Sequence, residues 1–326
     1  MTERTLDARL ARLRAGRDDP DDFVIADAKD GDMAFGVTAP GPGPDGAWKP
    51  RAAHLDAIAR MTASGLVDVM LTSVSSAAIL AARGTFDGSP VTPAVRLNDT
   101  TDIWMARGSR YRDSPSRPFA SADVASAARL VDLGLYSMTF SNDIDADLAS
   151  LERYRAYRLE ARGTGMRHFL EVFNPAFDIG VPPAELGHYV NDMIVKAVAG
   201  LVPEDAPLFL KIEFNGARAM EELSRYDPER LIVGILGGAA GTARDTFELL
   251  AQAREAGARV ALFGRKINLA ESPLELVRLM REVIARRLDP AAAVDEYHHR
   301  LEAAGVRPRR SREADLEVTE PVLRGR

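Results

Sequence analysis

Lys211 lies inside the apolar run Pro207-Leu-Phe-Leu-Lys-Ile-Glu-Phe-Asn215. Helical patterns flank this run, so it reads as a buried parallel strand, where an unpaired ammonium would be costly to desolvate. Burial disfavours the charged form of an amine, and a neutral amine attacks carbonyls. Strand alternation puts Lys211 on one face with Phe209 and Glu213, and Leu210 and Ile212 on the other. If the lysine's face points into a closed barrel, the residue suits Schiff-base chemistry. On the outer face it would only snorkel along a covering helix.

Two carboxylates occupy comparable positions. Asp27 ends a strand-like run, with Lys29 two residues later on the same face, and Glu171 sits between Leu170 and Val172. An isolated carboxylate is rarely tolerated there, so each is read either as a proton-transfer group or as half of a buried ion pair. Two glycine-bearing segments follow later strands: Gly237-Gly-Ala-Ala-Gly-Thr242, and Gly264-Arg-Lys-Ile267. Glycines at Gly237, Gly238 and Gly264 let backbone N–H groups approach an anion, and Arg265 adds charge, which suits a phosphate. The histidines (His54, His168, His188, His298 and His299) form no helix-spaced ligand set with a carboxylate, so no metal is expected.

The elements that must position these groups alternate as strand and helix. Strand-like runs begin at Phe23, Val67, Val91, Leu135, His168, Leu208, Leu231 and Val260, with helical patterns such as Leu55 to Met61 and Asp245 to Ala256 between them. Gly65, Gly134 and Gly257 read as helix terminators. Eight such units predict a TIM (β/α)8 barrel with its active site at the C-terminal ends of the strands. An open doubly wound sheet would need a Gly-rich turn after the first strand, and Asp27-Ala-Lys-Asp-Gly-Asp32 is charged instead.

The predicted organisation is an N-terminal helical extension over 1–22, a barrel over 23–305 and a polar tail over 306–326, disordered or lying on a neighbouring subunit. Leu6, Leu10 and Leu13 form one stripe of the extension, suited to covering the barrel bottom. Two long connections, Asp30 to Pro50 and Asp99 to Ser121, follow strand ends and suit lids. The second carries Trp104, Tyr111, Arg107, Arg110, Arg112 and Arg117, read either as substrate-binding or as solvated.

Composition narrows the function classes. The chain has 326 residues, is 46% hydrophobic and carries a net charge of −6, with basic residues scattered rather than clustered, so nucleic acid is not an expected partner. It has no cysteine, which excludes a thiolate nucleophile and a disulfide scaffold. No apolar leader or membrane-length run is present, and a soluble cytoplasmic enzyme without a cofactor is expected.

Taken in order, these motifs resemble the class I aldolases of the archaeal-type fructose-bisphosphate and tagatose-bisphosphate aldolase group, from Phe23 to Ile284. Ala26-Asp27-Ala-Lys29 resembles the first-strand aspartate motif; Val69-Met-Leu-Thr72 and Val95-Arg-Leu-Asn98 resemble strands two and three. Leu208-Phe-Leu-Lys211 with Asn215-Gly216 resembles the Schiff-base strand, and Gly237-Gly238 with Phe263-Gly-Arg265 the paired phosphate loops. The resemblance implies Lys211 as the Schiff-base lysine and Asp27 as a proton-handling carboxylate, beside which Glu171 is read as a second catalytic carboxylate. Gly237, Gly238, Gly264 and Arg265 would grip phosphate, with Lys29 and Asn98 as further substrate contacts. The implied ligand is a small phosphorylated ketone such as dihydroxyacetone phosphate, and the implied assembly a homo-oligomer. One departure stands out: the family's strand-four tyrosine acid/base matches Phe140, which cannot transfer a proton. Glu171, Tyr111 or a water would have to replace it. A sugar-phosphate isomerase or epimerase acting without an imine, or a non-catalytic phospho-ligand-binding barrel, are the alternative readings.

Overall fold

In the computed structural model, residues 4–324 are described except 18 and 44. Eight parallel strands close into a barrel: β1 (Val24–Ala28), β2 (Val69–Ser73), β3 (Thr92–Arg96), β4 (Leu133–Thr139), β5 (Arg167–Phe173), β6 (Leu210–Ile212), β7 (Gly234–Leu236) and β8 (Val260–Phe263). Each pairs with its sequence neighbour, and β8 returns to β1 with Asp27 opposite Phe263. This is the (β/α)8 barrel that the alternation predicts.

Inside, side chains of alternate residues build an apolar plug. Val24 and Ala26, Val69 and Leu71, Ala94, Leu133 and Leu135, Phe169, Phe209, Val260 and Leu262 belong to one buried cluster. The N-terminal helix Thr5–Arg14 completes it from below, where Leu6, Leu10 and Leu13 are buried against the strand starts. The intervening residues, including Ile25, Met70, Val95, Met138, Leu170, Leu210 and Ile212, face outward into a second cluster shared with the helices.

Gly134 does not terminate a helix. It lies within β4 opposite Val95, where an added Cβ would come within 2.3 Å of the Leu97 side chain. Close packing, not a left-handed turn, requires glycine there. Gly65, by contrast, caps the helix Arg51–Ser64 in the left-handed conformation at φ 66°, as expected.

The segment after Gly305 is ordered against the chain's own barrel, not extended as a tail. Asp245 holds it: this carboxylate accepts bonds from the backbone N–H groups of Thr319 (2.7 Å) and Glu320 (3.1 Å), and from the Thr319 hydroxyl (2.5 Å). Asp245 also caps its own helix, Ala243–Glu255, together with Thr242. Ala243 N–H donates to Asp315, and the buried Lys266 pairs with Glu320 at 2.7 Å. Among the described residues, no helix is long and apolar enough to cross a membrane.

Burial alone would raise the Asp245 pKa, but the hydrogen bonds from Thr242, Thr319 and Glu320 bring it below the ordinary aspartate value of 3.8. A depressed carboxylate pKa contributes stability that is present above the unfolded-state value and is lost as pH falls through the folded one. Asp245→Asn should therefore lower the melting temperature at pH 7, and the gap from the wild type should close below about pH 4. Thermal denaturation of both proteins across pH 3 to 8 checks this. An unchanged gap throughout would rule out the charge as the cause.

Candidate active site

The inward residues change character at the upper end of the barrel. On β5 and β6, Phe169 and Phe209 stack at 4.7 Å, and two residues further along each strand come Glu171 and Lys211. Register places Glu171 directly opposite Lys211 on one side and Ser137 of β4 on the other. Lys211 is therefore on the inner face. Its Nζ lies 2.5 Å from Glu171 Oε1, and the side chains are only 7% and 1% exposed.

The other Glu171 oxygen, Oε2, accepts from Arg96 Nη2 and from the Ser137 hydroxyl, both at 2.8 Å. Arg96, the last residue of β3, also donates to Asp30 at 2.5 Å and to Ser137 at 2.8 Å, with Asp99 at 3.5 Å. Burial would lower the Arg96 pKa, yet Asp30, Glu171 and Asp99 carry it above its ordinary value. For Asp30 the charges of Arg96 and Lys211 likewise outweigh burial and hold the carboxyl below its usual range. A fixed guanidinium fork thus locks two carboxylates, one of which touches the lysine.

Above this layer opens a cavity of about 880 Å³, lined by Lys29, Asp30, Arg96, Glu171, Lys211 and Glu213 on the barrel side. Gly237, Gly238, Gly264 and Arg265 of the last two strand–helix loops also line it. Gly238 takes φ +64°, and a Cβ on Gly264 would stand 3.0 Å from the Ala28 carbonyl oxygen. Both positions disfavour a side chain, so the backbone is left bare at these two points of the lining. The Arg265 guanidinium rests over the Phe35 ring, 5.4 Å from its centroid, and Nη1 lies 3.7 Å from Met105 Sδ. Phe35 and Met105 come from the two long connections, joined by Met105 N–H donating to Ala34 at 3.0 Å. Trp104 packs edge-on against Phe119 and Tyr111; Arg107, Arg110, Arg112 and Arg117 are all exposed, and of these Arg112 lines the cavity.

Two sequence-derived candidates stand off the cavity. Asp27 alternates with the inward Ala26 and Ala28, so its carboxylate points outward; neither oxygen has a hydrogen-bond partner and Lys29 Nζ is 3.4 Å away. Burial raises its pKa to about 6 against the pull of Lys29. Lys29 escapes the alternation because β1 ends before it; it lines the cavity and donates to Asn268 at 3.0 Å. Asn98 spends both ends of its amide on Ser137, donating to the carbonyl at 2.8 Å and accepting from the N–H at 2.6 Å. It extends the β3–β4 ladder and is not among the residues that line the cavity.

Phe140 also faces outward and is buried in the outer cluster; the inward positions at that end of β4 are Ser137 and Thr139. Tyr111, the loop candidate to replace the tyrosine, is half exposed and does not line the cavity. The residues that sequence reasoning passed over are Arg96, Asp30, Ser137 and Glu213. Only Glu213 carried a usable signal, its shared strand face with Lys211. Among the described residues, no group of histidines and carboxylates is arranged to hold a metal ion.

Removing the guanidinium would leave Glu171 and Asp30 buried without their partner. Arg96→Met is expected to destabilise the barrel by about 3–5 kcal/mol, measurable by chemical denaturation. A loss below about 1 kcal/mol would show that the carboxylates do not depend on Arg96.

No protein-family model and no curated protein sequence matches this chain. Solved structures do. An archaeal fructose 1,6-bisphosphate aldolase superposes with a TM-score of 0.63 at 17% identity, covering 86% of this chain and 99% of the other. A Schiff base forming fructose-1,6-bisphosphate aldolase gives 0.62 at 18% identity with the same coverages. The fructose-bisphosphate aldolase from Slackia heliotrinireducens DSM 20476 gives 0.64 at 14% identity, covering 91% and 90%. The chain thus has the TIM-barrel fold of archaeal-type class I aldolases, as the resemblance in its motifs implied.

Proposed function

We propose that this protein is a class I aldolase whose Lys211 forms a Schiff base with a small, phosphorylated ketone. The observation that carries the reading is the placement of Lys211 Nζ at the floor of the cavity, 2.5 Å from a carboxylate that Arg96 and Ser137 hold in place. The aldolase fold supports it, as do the bare backbone and the arginine of the last two loops.

Glu171 takes a proton from the lysine ammonium, and the freed amine adds to the ketone carbon to give a carbinolamine. Glu171 returns that proton to the carbinolamine hydroxyl, which leaves as water to give a protonated imine; as the C–C bond next to the imine carbon breaks, its pair becomes the enamine double bond and the imine π pair moves to nitrogen. Arg265 and the backbone at Gly237, Gly238 and Gly264 bind the phosphate, and Lys29 with Asn268 flanks them. Their contribution is positioning: the carbonyl carbon is held against Nζ instead of meeting it by chance. Asp27, outside the cavity, acts on Lys29 and not on substrate.

Incubation with dihydroxyacetone phosphate and borohydride, followed by intact mass and peptide mapping, should place a stable adduct on Lys211. Lys211→Met should form none while keeping its circular dichroism spectrum. Adducts on another residue, or none with a panel of ketones, would overturn the reading in favour of proton transfer without an imine or of simple binding. Arg265→Ala should still trap the imine at saturating ketone but need at least tenfold more phosphorylated ketone for half-maximal trapping. An unchanged half-saturation would remove Arg265 from the phosphate grip.

A further inference from the structure

Cleavage of the C–C bond needs a base for the hydroxyl beyond it, and the strand-four position expected to supply one holds Phe140, turned away from the cavity. Glu171 cannot easily serve both ends of the substrate, because Oε2 is fixed by Arg96 and Ser137 and Oε1 faces the lysine. Asp30 is fixed on Arg96. We propose that Glu213 is the carboxylate that moves the proton at the breaking bond. This inference rests on the Schiff-base reading of the site.

Glu213 is the first residue after β6, two beyond Lys211, and its place in the cavity lining sets it up to roughly 6.6 Å nearer the barrel mouth. A ketone joined to Nζ extends its carbon chain in that direction, which brings the hydroxyl next to the breaking bond up to Glu213 and not to Glu171. The Glu213 side chain lines the cavity and is anchored through one oxygen, Oε1, which accepts from the Asn174 backbone N–H at 3.1 Å. Such a tether fixes direction without consuming the second oxygen.

The charged groups that act on it are Glu171 on β5, Asp102 on the connection after β3, and Arg265 after β8, and Lys211 and Arg112 line the same cavity. Burial is the largest influence and raises its pKa to about 7, with Glu171 and Asp102 adding to the rise and the Asn174 N–H and Arg265 opposing it. A group poised there can give and take a proton at neutral pH.

In the cleavage direction the Glu213 carboxylate removes the proton from the hydroxyl. The O–H pair becomes the carbonyl π bond of the departing aldehyde. The C–C pair becomes the enamine double bond, and the imine π pair moves to nitrogen and neutralises it. Protonated Glu213 then returns its proton to the enamine carbon. Water hydrolyses the restored iminium, releasing ketone and the lysine ammonium.

The test uses dihydroxyacetone phosphate alone in deuterated buffer, because reversible enamine formation exchanges the hydrogen on the carbon next to the imine. Wild type should trap the borohydride adduct and exchange deuterium, with the exchange rate rising as pH passes through about 7. Glu213→Gln should trap the adduct within twofold of wild type but exchange on the order of 10²-fold more slowly, without that pH dependence. Glu213→Asp should recover part of the rate. Exchange by Glu213→Gln at the wild-type rate would overturn the proposal. So would parallel loss of trapping and exchange, which would mark Glu213 as supporting the lysine. Absence of an adduct in wild type would overturn the Schiff-base reading itself, and this inference with it.

Discussion

The architecture of the cavity turns on one buried guanidinium. Arg96 reaches Glu171 and Asp30 at once, and through Glu171 it fixes the carboxylate that meets Lys211. None of these charges would be stable alone so far from water, since the cost of burying an unpaired ion exceeds what most single contacts return. Together they form an alternating chain of anion and cation, Asp30–Arg96–Glu171–Lys211, drawn from the upper ends of β1, β3, β5 and β6 and further bound by the Ser137 hydroxyl of β4. The result is a rigid polar floor on an apolar barrel, which is what a preorganised site for a developing charge requires.

The rest of the fold isolates that floor. Below it, the stacked Phe169 and Phe209 and the leucines of the N-terminal helix fill the barrel interior with apolar side chains. Above it, the two long connections close over the mouth and meet at Arg265 through Phe35 and Met105. Beside the cavity, the C-terminal segment binds the start of the helix after β7 through Asp245 and Asp315, and pairs Glu320 with Lys266 of the next loop. The loops proposed to hold phosphate are therefore braced from outside by residues more than fifty positions away in the chain.

The proposed chemistry divides the carboxylates by surroundings and not by type. Glu171 lies within a guanidinium fork beside the lysine; Glu213 stands in the cavity with a single backbone tether, and burial lifts it to about 7. Asp27 is raised to about 6 but faces the outer layer, so its proton has no path to a ligand except through Lys29. A shifted carboxyl is thus a weaker indicator of function than the face on which it stands.

Local pattern in the sequence determined the barrel, the lysine strand, the covering helix and the paired glycine loops, because each rests on a period of hydrophobic residues or on the demands of a turn. It determined the oddity of Lys211 and Glu171 for the same reason: a charge within an apolar run must have a partner. It could not say which partner. Arg96 is an ordinary residue at the end of a short strand, and its role appears only when closure of the barrel brings Asp30, Ser137 and Glu171 around it. The face of Asp27 and Phe140, the clamp made by Asn98 and the folding back of the last segment were likewise decided in three dimensions. Alternation along a strand says which residues share a side. Only the closed sheet, by burying one side against itself and the other against helices, says which side is the inside.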